Sequence, residues 1–261
     1  MDLDLSGKRV LITGGSKGIG LATATAFAAE GAVVTLVSRT AHMLEQASAQ
    51  VAAATGSTPH TIVADLSSDK GRQALHEQTQ TPDILVNNAG AIKAGGLSDL
   101  SMQDWRDGWE LKVFGYIHLC QLFMPDMTAR GSGTIINIIG MGGRAVRPAY
   151  ICGAAGNAAL IGFTNALGAQ AQRSGVRVLG INPSPTLTDR METQFRGRAK
   201  AEFGDEARWQ ELINPAAFPF GRPKNAQEVA TLATMIASPK VEYLNGTVID
   251  MDGGGQWTGK S

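Results

Sequence analysis

Thr13-Gly14-Gly15-Ser16-Lys17-Gly18-Ile19-Gly20 follows the aliphatic run Val10-Leu11-Ile12 and leads directly into an Ala-rich stretch. A strand that ends in such a loop and turns into a helix gathers bare backbone N–H groups and the positive end of the helix dipole at one point, where a pyrophosphate can sit. Glycine is required there because a Cβ would block that approach. A tight structural turn gives the same local pattern, so the rest of the chain has to decide between the two.

Outward from the loop, short β-branched or aliphatic runs alternate with helical stretches: Val10–Ile12, Val33–Val37, Thr61–Val63, Ile84–Val86, Thr134–Ile139, Val176–Ile181 and Thr247–Ile249. Seven runs that are apolar on both faces, separated by helices, specify a Rossmann-type, doubly wound parallel α/β sheet in a single domain over residues 1–261. Helices are expected over Gly18–Glu30, Ala41–Ala54, Asp69–Gln78, Met102–Arg130, Gly153–Ser174 and Ala226–Ala237. The segment 186–222 is expected to lack a strand. It mixes charge with Phe195, Phe203, Trp209, Phe218 and Phe220 and reads as a lid over a substrate pocket.

Bulk properties narrow the partners. Lys plus Arg and Asp plus Glu both number 23, which gives no basic excess for nucleic acid or an acidic membrane surface. Cys120 and Cys152 have no paired spacing, and His42, His60, His76 and His118 have no metal-ligand spacing, so neither a disulfide framework nor a metal site is expected. The first residues carry no leader pattern, and no apolar run approaches the roughly 20 residues of a membrane helix. The expectation is a soluble cytoplasmic protein that handles a small molecule.

The end of the second strand selects the dinucleotide. A carboxylate there would bond the adenosine ribose and repel a 2′-phosphate, but this chain has Ser38-Arg39, with Lys17 inside the glycine loop. Two cations and a hydroxyl suit a phosphate and favour NADP over NAD. The plain alternative makes Arg39 a solvated helix-entry residue.

Taken together, these residues resemble the short-chain dehydrogenase/reductase family along nearly the whole chain. The loop from Thr13 to Gly20 matches its Thr-Gly-x-x-x-Gly-x-Gly, with Gly14, Ser16, Lys17, Gly18, Ile19 and Gly20 at the cofactor. Asp65-Leu66 resembles the pair that holds adenine, and Asn87-Asn88-Ala89-Gly90 matches a specific family signature. Ile181-Asn182-Pro183-Ser184-Pro185 resembles the segment beside the nicotinamide, with Ser184 in place of Gly and Thr188 where a hydroxyl often contacts the carboxamide. The resemblance also implies a homotetramer or homodimer.

The same resemblance exposes departures at the family's catalytic positions. Counting back from Ala158-Ala159-Leu160-Ile161-Gly162-Phe163-Thr164 puts Gly153 in the Tyr position and Asn157 in the Lys position. The serine position falls on Gly140, and the helix asparagine, counted from Trp105, falls on Lys112. A second alignment makes Tyr150 the tyrosine, with Ala154 in the Lys position and a three-residue insertion downstream. On the first alignment, Lys112 and Asn157 amount to an exchange of Lys and Asn between neighbouring positions, keeping a cation near the nicotinamide while Tyr150 donates the proton. Gly153 leaves room for the Tyr150 ring, and with Gly140-Met141-Gly142-Gly143 suggests an enlarged pocket.

Ser184 is a second hydroxyl candidate, and its alternative is a conformational role in a Pro-Ser-Pro turn. Cys152 adjoins the site without a nearby His to activate it. Arg144 and Arg147 suit a carboxylate or phosphate on a substrate, or are solvated loop residues. The leading functional reading is an NADP-dependent oxidoreductase of a carbonyl, alcohol or activated double bond with a rebuilt proton donor. Two others remain: a catalytically silent dinucleotide-binding sensor or partner subunit, and a non-redox lyase or hydrolase on the same fold.

Overall fold

Seven parallel strands form one sheet in the computed structural model, which describes residues 1–258. In chain order, β1 (Arg9–Thr13), α1 (Gly18–Ala29), β2 (Val33–Ser38), α2 (Ala41–Thr55), β3 (His60–Val63), α3 (Asp69–Gln78) and β4 (Ile84–Asn87) build the first half. There follow α4 (Met102–Trp109), a π-helical turn (Glu110–Phe114), α5 (Gly115–Arg130), β5 (Gly133–Ile138), α6 (Ile151–Ala171) and β6 (Val176–Pro183). The last third holds β7 (Thr186–Leu187), α7 (Asp189–Phe203), β8 (Lys224–Asn225), α8 (Ala226–Ala237) and β9 (Thr247–Met251). The spatial order β3-β2-β1-β4-β5-β6-β9 reverses its direction of growth between β1 and β4. That reversal opens a crevice at the carboxyl ends of the strands, the place where such sheets take ligands.

Successive strand residues point to opposite faces, which is why the runs are apolar throughout. Val10, Ile12, Val86, Ile136 and Ile181 pack with Phe27, Val229 and Ile236 on one side. Leu11, Leu85, Ile135 and Val178 pack with Leu75, Leu119, Phe123 and Ala171 on the other.

Four sequence readings need correction. The helix expected over Met102–Arg130 is interrupted by the π-helical turn, which carries Lys112; an irregular turn of this kind leaves composition and apolar spacing nearly unchanged. The helix expected from Gly153 begins at Ile151, with Tyr150 at its N-cap. The segment 186–222, expected without a strand, contains β7, whose Thr186 and Leu187 pair in parallel with Lys224 and Asn225. Finally, Ile151–Ser174 is apolar and long enough to cross a membrane by length and composition. Here one face of it packs into the core, with Leu160 and Ala171 fully buried.

Candidate functional site

The loops after β1 and β4 are stitched together by one hydroxyl and one amide. Thr13 Oγ1 accepts the N–H groups of Asn88 (2.9 Å) and Ala89 (3.0 Å) and donates to Val86 O (3.3 Å). The Asn88 side chain donates back to Thr13 O (3.0 Å) and Gly14 O (3.1 Å). This close approach explains the glycine at 14, where φ is +64° and a Cβ would stand 3.0 Å from Ala89 Cα. Gly20 serves packing: a Cβ there would meet Gly14 O at 2.2 Å, and Gly20 is absent from the cleft wall.

The cleft has a volume of about 680 Å³, and Gly14, Ser16, Lys17, Gly18 and Ile19 line it. Lys17, at the N-cap of α1, supplies no side-chain acceptor to the first turn, so those amides remain for a ligand. The open glycine loop and uncapped helix start fit a pyrophosphate.

Ser38, Arg39, Thr40, Met43, Ala64 and Leu66 line one end. Asp65, read beside Leu66, lies outside the wall. Its carboxylate accepts from Ser67 Oγ (2.7 Å) and Ser67 N (3.1 Å). Those two bonds, with a smaller contribution from Arg39, hold it below the usual carboxylate range against the cost of burial. Met43 and Ala64 were missed by the sequence reading, because an apolar wall for a flat ring has no motif.

Behind this end sits Arg72, fully buried. It donates to Leu66 O (2.8 Å), to Glu110 O (3.2 Å), to the Glu110 carboxylate (2.6 Å) and to Asp69 and His118. One guanidinium thereby fastens the Leu66 wall to the π-helical turn that carries Lys112.

At the opposite end the cleft brings together Lys112, Tyr150, Asn157, Ser184, Gly140, Pro183 and Thr188, together with Asn88, Ala89 and Gly90. Lys112 Nζ donates to Ile139 O (2.5 Å), and its stem crosses Gly90, where a Cβ would lie 3.0 Å from Lys112 Cδ. The Tyr150 ring lies against Gly153, so close that a Cβ at 153 would fall 2.0 Å from Tyr150 Cζ. The expectation of ring space at Gly153 holds, but the ring fills that space, so Gly153 is covered and adds no pocket volume. Asn157 is 2 % exposed, and its Oδ1 is buried without a hydrogen-bond partner. An orphaned buried acceptor on a cleft wall suits a ligand hydroxyl.

Ser184 Oγ accepts from Lys224 Nζ. Sequence reasoning missed Lys224, which lies 40 residues away and reaches Ser184 through the β7–β8 pair. Burial pushes the Lys224 ammonium down to about 8, against the pull of Glu228 and Asp252. The two loop arginines separate: Arg144 Nε pairs with Asp250 (2.8 Å) away from the cleft wall, while Arg147 lines it. Cys152 is buried outside the wall, and burial pushes its thiol up, opposite to what a nucleophile needs. Among the described residues no group of three or more His, Cys, Asp or Glu is placed to hold a metal.

Likeness to known proteins covers the whole of this architecture. A family model described as short chain dehydrogenase matches residues 8–199. Gluconate 5-dehydrogenase of Gluconobacter oxydans is 32% identical over 254 residues, spanning 96% of this chain and 95% of that protein. Galactitol 2-dehydrogenase (L-tagatose-forming) of Cereibacter sphaeroides is 31% identical over 252 residues, spanning 96% and 95%. Among solved structures, L-sorbose reductase from Gluconobacter frateurii, complexed with NADPH and L-sorbose, superimposes with a TM-score of 0.89 at 31% identity, covering 97% of this chain and 98% of that one.

Proposed function

The chain belongs to the short-chain dehydrogenase family and is an oxidoreductase of that kind, and on that premise we propose that it interconverts a sugar or polyol ketone and alcohol with NADP(H), using Tyr150 as proton donor. The observation that carries this reading is the Tyr150 ring seated in the space that Gly153 leaves open, on the same wall as Lys112 and Asn157.

When bound, NADPH supplies the hydride. Gly14, Ser16, Lys17, Gly18 and Ile19 hold its pyrophosphate at the start of α1. Ser38 and Arg39 bind the 2′-phosphate, and Leu66 covers the adenine. Asn88, Ala89, Gly90, Pro183 and Thr188 flank the nicotinamide half, where the orphaned Asn157 Oδ1 accepts a ribose hydroxyl. Tyr150 gives its phenolic proton to the substrate oxygen. The Lys112 ammonium, held by Ile139 O, lowers the cost of the phenolate left behind. Sugar and polyol chemistry enters from the relatives' substrates. The segment 186–222 acts as the substrate lid, and the enzyme works in the cytoplasm as a homotetramer or homodimer.

A second reading, a silent dinucleotide-binding sensor or partner subunit, draws on Gly140 and Gly153 standing where the family resemblance expects Ser and Tyr. One experiment separates the two: NADPH and NADH are titrated by nicotinamide fluorescence, then NADPH consumption is followed across ketoses that include L-sorbose. Turnover with at least one ketose, lost in Tyr150→Phe, supports the enzyme. Tight NADPH binding with no turnover on any ketose or polyol supports the silent protein.

A further inference from the structure

The pair formed by Ser184 and Lys224 is not used in the mechanism above, yet it lies at the reacting end of the cleft. Ser184 immediately follows β6 and lines the wall; Lys224 is half-buried behind it and does not. The β7–β8 pairing, Thr186 with Lys224, holds the two at this distance, so their contact is built into the backbone. A hydroxyl has one proton and two lone pairs. With a lone pair of Ser184 Oγ occupied by the Lys224 ammonium, the hydroxyl proton must point elsewhere, and the cleft is where Ser184 is exposed.

A dinucleotide that places its pyrophosphate at α1 and its adenosine over β2 extends its other half over the ends of β4, β5 and β6. Ser184 stands at the end of β6. We infer that Lys224 is a positioning residue that turns the Ser184 hydroxyl into a donor aimed at the carboxamide oxygen of the nicotinamide. This inference rests on the dinucleotide reading above and adds to it a polarity switch. A charged Lys224 donates to Ser184, and Ser184 donates to the ligand. Once Lys224 has released a proton to solvent, its amine becomes an acceptor, Ser184 turns its proton toward it, and the cleft loses a donor.

Among the described residues, the carboxylates of Glu228 and Asp252 act on Lys224. Glu228, at the start of α8, carries a carboxyl lowered to about 2, through Arg222 first and the Asn225 amide next. Asp252, just past β9, attracts the ammonium from the other side while accepting the amides of Gly254 (3.0 Å) and Gln256 (2.8 Å). With Glu228 charged throughout the neutral and alkaline range, Lys224 is the member of the pair that changes state there. Its loss of charge is centred near pH 8.

The test is equilibrium titration with NADPH and, separately, with adenosine 2′,5′-bisphosphate, which lacks the nicotinamide, from pH 6.5 to pH 9.5. The proteins are wild type, Lys224→Met, Ser184→Ala and Ser184→Thr, each checked for folding by circular dichroism. The expected result is a wild-type NADPH Kd that rises about fivefold through pH 8, the size of one hydrogen bond. The bisphosphate should show no step at that pH attributable to this pair: whatever pH dependence it has should be shared by all four proteins. Lys224→Met and Ser184→Ala should bind NADPH weakly and without the extra step, while Ser184→Thr, which keeps a hydroxyl, should restore it. Identical NADPH profiles in wild type, Lys224→Met and Ser184→Ala would overturn the inference while leaving the dinucleotide reading intact. A step of equal size for the bisphosphate, lost in the same variants, would also overturn it, by moving the effect to the adenosine half. Absence of NADPH binding by the wild type would remove the dinucleotide reading and this inference with it.

Discussion

The Tyr150 ring occupies the position of the side chain that Gly153 lacks: a Cβ at 153 would lie 2.0 Å from Tyr150 Cζ and 2.5 Å from its hydroxyl oxygen. A residue at the N-cap of α6 thus reaches the wall that would otherwise belong to the first turn of the helix. Gly153→Ala should expel the ring and Tyr150→Phe should remove the proton. Both are expected to lower kcat by about 100-fold, the lower range for loss of a general acid. Both should leave the NADPH Kd within about twofold, a ratio that steady-state kinetics and fluorescence titration check together.

Arg39 lies at the end of β2, exposed on the cleft rim. Arg39→Asp replaces a cation by a like charge to the 2′-phosphate and should weaken NADPH by about 30-fold or more, with NADH changing by a few-fold. Equal losses for the two dinucleotides would sink the assignment of the 2′-phosphate to this residue.

Asn157 carries its own stability cost, since Oδ1 is buried without a partner. Asn157→Leu removes that orphan, an unmade bond of about 1–3 kcal/mol. The ligand-free variant should therefore melt a few degrees higher than wild type, by about 2–4 °C per kcal/mol. Saturating NADPH should raise its Tm less than it raises that of the wild type. Differential scanning fluorimetry with and without NADPH reads both, and an unchanged NADPH-induced shift would show that the amide takes no part in binding.

Glu228 closes the capping box of α8 with Asn225 and pairs with Arg222 at 2.8 Å. Its carboxyl falls from the ordinary 4.5 to about 2, through the Arg222 hydrogen bond first and the Asn225 amide next. A carboxyl lowered on folding stabilises the fold above its ordinary value, and that contribution disappears as pH falls toward about 2. Glu228→Gln should therefore lower Tm at pH 7 and converge with wild type at the acid end. The effect should be small and weakened by salt, because the pair is solvent-exposed.

Much of the fold is legible in the sequence. Runs such as Leu85-Val86 and Ile135-Ile136 bury alternate residues on opposite faces of one sheet. A strand of that kind has no polar edge, and the glycine loop between β1 and α1 needs backbone close to backbone, which only Gly14 and Gly20 allow. What escaped reading was non-local or irregular. Counting along α6 finds Gly153, but no count shows that a ring from Tyr150 covers it. The π-helical turn leaves the pattern from Met102 to Arg130 looking like one helix while shifting where Lys112 points. Lys224 finds Ser184 through a two-residue strand pair too short for any periodicity to register.

Arg72 gives the cleft a mechanical property. Its guanidinium is a rigid planar fork whose Nη1 donates to the carbonyls of both Leu66 and Glu110, while Nη2 donates to the Glu110 carboxylate. The floor under one end of the ligand and the turn that carries Lys112 at the other are therefore clamped to one buried bracket. A displacement of Leu66 should therefore be felt at the Lys112 turn, because both are bonded to the same buried side chain. A fragment that fills only the end lined by Leu66 should therefore alter the setting of the Lys112 turn at the other.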